Sequence, residues 1–114
     1  GYAIGEEIAR RPVRERPRAV FCHNDVVAVG LYRALRRAGL RVPEDVAVAG
    51  FDGIEEARFL DAPLTTVLTP TQALCETAVN LMLRRMTASE SENLARVAGE
   101  QIVLMPSLFV GGTT

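Results

Sequence analysis

The distribution of apolar and polar positions predicts that strands and helices alternate along the chain. Residues 18–23 form a short apolar run without polar alternation, which is typical of a strand covered on both faces. From 26 to 38 the apolar residues recur at spacings of three and four, as on one face of a helix, and Gly39 is placed to end it. A second apolar run follows at 46–51. The order strand, helix, strand predicts a βαβ unit with a parallel sheet, whose crossover is right-handed in about 98% of cases.

The second half of the chain continues this α/β pattern. Thr69 is predicted to cap a helix, with Pro70 in its first turn and Gln72 reaching back to the cap as in a capping box. Residues 87–100 are mostly polar or small and predict a loop. The other predicted elements are a helical turn at 53–62, a third strand at 63–68, the capped helix at 70–86 and two short strands at 101–105 and 108–110.

The composition is that of one soluble globular domain, with 114 residues, 48% hydrophobic and 24% charged. The net charge of −1 gives no basic excess for nucleic acid, and no apolar run approaches the roughly 18 residues that span a bilayer. Cys22 and Cys75 lie in apolar contexts, which predicts buried, reduced thiols in a cytoplasmic protein. Neither cysteine has metal-ligand spacing to another Cys or to His23, and we expect neither a metal nor a cofactor. Because residues 2–10 already have a helical pattern, we expect the chain to be a piece of a longer protein.

Polar residues directly follow the first two predicted strands. Asn24 and Asp25 come after the first strand, and Asp52 comes after the second. Ligands of open parallel sheets gather at the carboxyl ends of the strands, so we expect Asn24 and Asp52 on one edge of the sheet. There they would offer an amide and a carboxylate, a pair that suits the hydroxyl groups of a polyol or sugar.

Each of these side chains also has a structural alternative. Asp25 is expected to cap the helix that follows, a role that Asn24 could also fill. Asp52 could fix the turn at Gly53 instead of contacting a ligand. His23 has no Ser or Cys nucleophile arranged with it, so we interpret it as a strand-end residue rather than a general base. The sequence therefore does not predict an enzyme.

Several spaced motifs resemble one known family. The motifs are AVFCHND at 19–25, AVG at 28–30, GLRVPED at 39–45, VAGFD at 48–52 and PLTTV at 63–67. In this order they resemble the C-terminal half of the effector domain in the lactose/galactose repressor family. The segment LMPSL at 104–108 looks like the closing strand pair of that family.

The resemblance implies a fold like that of periplasmic sugar-binding proteins, in which two α/β lobes close on a small ligand and change how a separate helix-turn-helix domain meets DNA. It assigns 1–68 mainly to the C-terminal lobe, 69–105 to a crossing into elements of the N-terminal lobe, and 106–114 to a closing strand and tail. The periplasmic-binding-protein-like fold would then be incomplete. The chain would be the effector-sensing and dimerisation part of a cytoplasmic transcriptional regulator.

The resemblance also implies roles for individual residues. Asn24 and Asp52 match positions that contact the effector, and Thr69 and Thr71 match positions that can line the cleft. The runner-up is a lobe of an exported sugar-binding transport protein, which would carry a signal peptide. A flavodoxin-like enzyme or receiver domain shares the βαβ logic, but it would need a catalytic or phosphoacceptor constellation that the sequence does not assemble.

Val29 and Leu60 match subunit-interface positions in the family, which implies a homodimer, although core packing would also explain both residues. The helix at 70–86 would expose an apolar stripe without its partner lobe, so we expect the isolated chain to self-associate. Two residues depart from the family pattern. Gly53 replaces a frequent acidic residue and could alter ligand choice, and Gly111 replaces a frequent basic residue and puts the pairing of the tail in question.

Overall fold

The computed structural model of the chain describes residues 1–87 and 101–114. It has two compact units, one formed by 1–69 with 107–114 and the other by 70–106. The helices are α1 (Tyr2–Arg10), α2 (Asp25–Arg37) and α3 (Thr71–Thr87), with 3₁₀ turns at Val13–Glu15 and Glu55–Phe59. The strands are β1 (Ala19–Phe21), β2 (Ala47–Asp52), β3 (Thr65–Leu68) and β4 (Ser107–Phe109).

In the first unit the strands form one sheet in the order β1, β2, β3, β4. β1 pairs with β2 and β2 with β3 in parallel, whereas β4 runs antiparallel to β3. In this register Val20 lies beside Val48, and Gly50 lies beside Thr66. The predicted βαβ unit and parallel sheet are confirmed. The boundaries predicted for β1, α2, β2 and β3 lie within two residues of the observed ones.

The core of the first unit lies between α2 and the sheet. The buried residues of α2 recur at spacings of three and four, while its arginines Arg33, Arg36 and Arg37 stay exposed. Because burying a Val or Leu side chain contributes about 1.5–3 kcal/mol, this face fixes the helix on the sheet. The core consists of Ile8, Cys22, Ala28, Leu31, Tyr32, Leu35, Val42, Val46, Val48, Ala57 and Leu64.

The turn between α2 and β2 is fixed by a glycine and an ion pair. Gly39 has a φ of 81° and follows the end of the helix, as predicted. Arg41 donates from Nε to Oδ2 of Asp45 (3.2 Å), from Nη2 to Oδ1 (2.9 Å) and from its backbone N–H to Oδ2 (2.8 Å). These hydrogen bonds lower the pKa of Asp45 from 3.8 to about 2. The turn therefore brings the chain into β2 in a fixed geometry.

The tail after β4 packs against β2 and β3 through a chain of hydrogen bonds. The Gly111 N–H donates to Thr65 Oγ1 (2.9 Å), and the Thr65 N–H donates to Thr113 Oγ1 (2.9 Å). Thr113 Oγ1 donates in turn to the Val48 carbonyl (2.7 Å), and the Val48 N–H donates to the Thr113 carbonyl (2.8 Å). Thr113 is fully buried. The departure at Gly111 therefore does not prevent the tail from pairing with the sheet.

The second unit contains α3, which begins one residue later than predicted. The Leu74 N–H donates to the Pro70 carbonyl (2.9 Å), so Pro70 rather than Thr69 immediately precedes the helix. The expected capping box is wrong, because the Gln72 amide donates to Glu76 Oε1 (2.8 Å), one turn further along the helix. No residue of α3 is buried.

Two further expectations about this part of the chain are wrong. Residues 101–106 form no strand, because a strand needs a ladder partner for its backbone and this stretch has none among the described residues. Cys75 is exposed, whereas Cys22 is buried as predicted. The loop predicted at 87–100 lies, apart from Thr87, outside the described residues. In the part of the chain that the structure describes, no helix is both long and apolar enough to cross a membrane.

Candidate functional site

The carboxyl ends of β1 and β2 bring two polar stretches to one edge of the sheet. β1 ends at Phe21 and β2 ends at Asp52, and the two strands are parallel neighbours. Asn24, which follows β1 by three residues, therefore lies at the same edge as Asp52, as the sequence predicts. Asn24 is half-buried and Asp52 is exposed. The edge offers a ligand an amide and a carboxylate.

Asn24, and not Asp25, is the residue whose side chain caps α2. Asn24 has extended backbone angles (φ −153°, ψ 166°), and its Oδ1 accepts a hydrogen bond from the Val27 N–H (2.9 Å). Asp25 is already the first helical residue, so the capping role expected for it is wrong. The cap uses one of the two lone pairs of the Asn24 amide oxygen and neither of its N–H donors.

The carboxylate of Asp25 instead joins three elements inside the first unit. Its Oδ2 accepts from the N–H groups of Gly53 (2.7 Å) and Ile54 (2.9 Å), and its Oδ1 accepts from Thr66 Oγ1 (2.6 Å). Asp25 is 0% exposed. Its three hydrogen bonds offset the cost of burying a polar group. The start of α2, the turn after β2 and the middle of β3 are thus tied together by one side chain.

The turn that carries Asp52 has an unusual backbone. Asp52 has a φ of 115° and Gly53 a φ of 79°. The Asp52 carbonyl accepts a hydrogen bond from the Thr69 N–H (3.2 Å). The positive φ of Gly53 is one that other side chains rarely adopt, and a Cβ atom there would lie 2.6 Å from Leu68 Cδ2. A side chain at this position would therefore strain the turn.

The other predicted residues divide between the two units. Thr69 is half-buried and lies next to Asp52 through its backbone hydrogen bond, whereas Thr71 is exposed at the start of α3 in the second unit. Val29 and Leu60 are half-buried and pack against the core of the first unit. Their packing agrees with the structural alternative, and an interface role stays a prediction.

The remaining polar chemistry near this edge does not assemble a catalytic centre. His23 is exposed, and burial raises the pKa of the neighbouring Cys22 thiol. A buried thiol with a raised pKa is a poor nucleophile. Among the described residues, no group of three or more His, Cys, Asp or Glu side chains could hold a metal ion.

A parallel α/β sheet with a polar pair at its carboxyl edge is the arrangement of one class of ligand-binding domain. The family model for the periplasmic binding protein-like domain matches residues 2–114. The chain belongs to this family, in the form found in LacI-type transcriptional regulators.

Two curated repressors illustrate the relationship in sequence. The ribose operon repressor of Escherichia coli is 44% identical over 87 residues, which are 76% of this chain and 26% of the repressor. The HTH-type transcriptional repressor PurR of Erwinia tasmaniensis is 41% identical over 93 residues, which are 82% of this chain and 27% of the repressor. The chain thus spans about a quarter of the length of these relatives, which are repressors rather than enzymes.

Solved structures of LacI-type regulators share the fold. A regulator from Lactobacillus casei with bound sucrose matches with a TM-score of 0.80 and 33% identity over 99% of this chain and 39% of its own. A regulator from Enterococcus faecium with bound ribose matches with a TM-score of 0.74 and 28% identity over 96% of this chain and 39% of its own. The lac repressor dimer, bound to operator and the anti-inducer ONPF, has a TM-score of 0.80 and 26% identity over 99% of this chain and 36% of its own.

Proposed function

We propose that this chain is the effector-sensing part of a DNA-binding transcriptional regulator and that Asn24 and Asp52 contact the effector. The observation that carries the proposal is the position of these two residues at the carboxyl edge of adjacent parallel strands. Contact with DNA is left to a helix-turn-helix domain elsewhere in the protein, because the net charge of −1 gives this chain no basic surface excess. Such a regulator works in the cytoplasm.

The hydrogen-bonding capacity of the edge specifies the kind of effector. Asp52 is exposed and accepts hydrogen bonds, while Asn24 has two N–H donors and an oxygen that already accepts one hydrogen bond from the Val27 N–H. A ligand is therefore proposed to donate to Asp52 and to accept from the Asn24 amide. A sugar hydroxyl group can do either, so a small polyhydroxylated molecule fits the pair. The resemblance also marks Thr69 and Thr71 as positions that can line the cleft, and their part in binding stays a prediction.

The relatives support a regulator rather than an exported transport protein. Those described above are repressors and LacI-type regulators, and two of the solved structures hold sucrose and ribose. Another structure of the Lactobacillus casei regulator holds glucose. These three sugars are the first effectors to test.

The test is the thermal response of the full-length protein to sugars. D-ribose, D-glucose and sucrose are added separately, and the wild-type melting temperature is expected to rise with at least one, because ligand binding stabilises the folded state. Asp52→Ala is expected to abolish that rise by removing the accepting carboxylate. Asp61→Ala removes another exposed carboxylate and serves as the matched control that keeps the response.

Two results would contradict the proposal. An Asp52→Ala protein with an unchanged thermal shift would remove Asp52 from the site. A wild-type protein that responds to none of the three sugars would contradict these sugars as effectors.

A further inference from the structure

We propose that Asp25 is a positioning residue that holds Asp52 in its ligand-binding conformation. This inference rests on the proposed role of Asp52 as an effector contact. Asp25 does not reach the ligand-facing surface itself, because it is 0% exposed. It acts through the turn that follows Asp52.

The backbone on both sides of Asp52 is anchored. Before the turn, Asp52 pairs with Leu68 at the end of the β2–β3 ladder. After it, the N–H groups of Gly53 and Ile54 converge on the Oδ2 atom of Asp25, at 2.7 Å and 2.9 Å. Without the second anchor, the turn would lose both of these hydrogen bonds and keep the longer one, 3.2 Å, from the Thr69 N–H to the Asp52 carbonyl. Asp25 therefore supplies the main restraint on the turn after Asp52.

The sheet is built to accommodate the Asp25 carboxylate. A Cβ atom at Gly50, in the middle of β2, would lie 2.2 Å from Asp25 Oδ1, so the absence of a side chain at this position makes room for the carboxylate. Thr66, which pairs with Gly50 across the ladder, donates its hydroxyl to the same oxygen (2.6 Å). One oxygen is thus fixed by the sheet, which leaves the other directed at the turn.

Asp25 also fixes the separation of the two proposed ligand contacts. It follows Asn24 directly in the chain, and its carboxylate binds the residue that directly follows Asp52. The positions of both contact residues therefore depend on one buried side chain. A ligand that needs both contacts at once loses affinity when that separation relaxes, because small displacements weaken hydrogen bonds steeply.

The experiment compares Asp25→Ala, Asp25→Asn and Val48→Ala in the full-length protein. Amide hydrogen exchange is followed by NMR at Gly53, Ile54 and Thr69. In Asp25→Ala these three amides are expected to exchange at least tenfold faster, while amides within the β2–β3 ladder keep their protection. Val48→Ala removes buried packing from β2 without touching the turn, so it controls for a general loss of stability.

Asp25→Asn separates position from charge and remains informative if Asp25→Ala does not fold. The asparagine oxygen can accept from Gly53 and Ile54 while its amide donates to the Thr66 hydroxyl, which accepts as readily as it donates. We expect slow exchange at Gly53 and Ile54 to be retained in this variant. A folded Asp25→Asn protein with a freely exchanging turn would overturn the proposal, as would unchanged exchange in Asp25→Ala.

The second measurement is sugar affinity, with D-ribose, D-glucose or sucrose as the probe. Asp25→Ala is expected to raise the Kd at least tenfold, while Val48→Ala and Asp25→Asn stay within a few-fold of wild type at a temperature where all are folded. A mobile turn with an unchanged Kd would overturn the positioning role. If the wild-type protein binds none of the sugars, the proposed effector class fails, while the exchange measurement still decides whether Asp25 holds the turn.

Discussion

Asp52 combines an exposed carboxylate with a backbone conformation that side chains rarely adopt. Its φ of 115° lies in the region that favours glycine, and a residue held there typically costs about 1–3 kcal/mol. Strained residues of this kind cluster at functional sites, where the surrounding structure enforces them. Here the enforcing groups are the Asp25 carboxylate and the ladder to β3. Asp52 is therefore a position where stability and ligand binding oppose each other.

Replacing Asp52 with glycine tests this opposition. Asp52→Gly is expected to unfold with a free energy about 1 kcal/mol higher than Asp52→Ala, because glycine adopts a positive φ without a Cβ penalty. Both variants lack the carboxylate, so both lose any response to sugar. Urea unfolding of the two full-length variants measures the difference. Equal stability of the two would show that the φ of Asp52 carries no strain.

At the scale of single residues, the sequence predicts where a polar side chain lies in the sheet better than it predicts what that side chain binds. The edge that holds Asn24 and Asp52 follows from strand order alone, because parallel neighbours share their carboxyl ends. The role of Asp25 depends on Gly50 and Thr66, which lie 25 and 41 residues further along the chain. Two adjacent residues that can both cap a helix differ only in backbone angles, which the sequence does not reveal. The cap was therefore assigned to the wrong neighbour.

At the amino terminus of α2, the Asn24 side chain caps the helix and is also a proposed ligand contact. Asn24 ends the first βα connection and caps the helix with its oxygen, and its nitrogen is the atom proposed to donate to a ligand. A substitution at Asn24 is therefore expected to change both the stability of α2 and the proposed ligand contact.

Serine and alanine substitutions separate the two purposes of Asn24. Asn24→Ser keeps a capping oxygen, so its free energy of unfolding is expected to equal that of wild type. Asn24→Ala loses the cap, and its free energy of unfolding is expected to be about 1 kcal/mol lower. Both remove the amide donors, so both are expected to weaken sugar binding. Chemical denaturation combined with titration calorimetry measures the two effects. Retention of full sugar affinity in Asn24→Ser would assign Asn24 to the cap alone.

Elements were predicted best where one apolar run is buried by the sheet. The periodic face of α2 and the runs that form β2 and β3 contain the buried residues that fix these elements. β1 forms where predicted, but the expectation that it is covered on both faces is wrong, because none of its residues is buried and Phe21 is 65% exposed. Residues 101–106 are also apolar, but an apolar run forms a strand only beside a partner. The helix start at Thr71 was missed by one residue because Thr69 and Pro70 both satisfy the chemistry of a first turn.

At the scale of the whole molecule, the proposed dimer depends on apolar surface near Val29 and Leu60. Both are partly covered by the core, while the adjacent Phe59 is 79% exposed. The second unit also exposes apolar side chains, among them Met86 at 74%. Self-association of the isolated chain therefore stays a prediction.

A charge at the proposed interface is expected to prevent the proposed dimerisation of the full-length protein. Val29→Glu and Leu60→Glu should each raise the dimer dissociation constant at least tenfold, because an unpaired carboxylate must then be desolvated. Sedimentation velocity over a concentration series measures the change, with circular dichroism to establish folding. Leu108→Glu, on the exposed face of β4, is the matched control that leaves the dimer intact. Folded variants with unchanged dimerisation would place the interface elsewhere.

The first unit is assembled from two stretches of chain that are separated by residues 70–106. During translation at about 5–20 residues per second, roughly 2 to 8 seconds pass between the emergence of β3 from the ribosome and that of the strand that pairs with it. Throughout that interval the outer edge of β3 offers unpaired backbone groups, and the place that Thr113 occupies beside Val48 and Thr65 stays empty. The ribosome-bound chain therefore carries an open sheet edge, and sheet closure is a late event in biosynthesis.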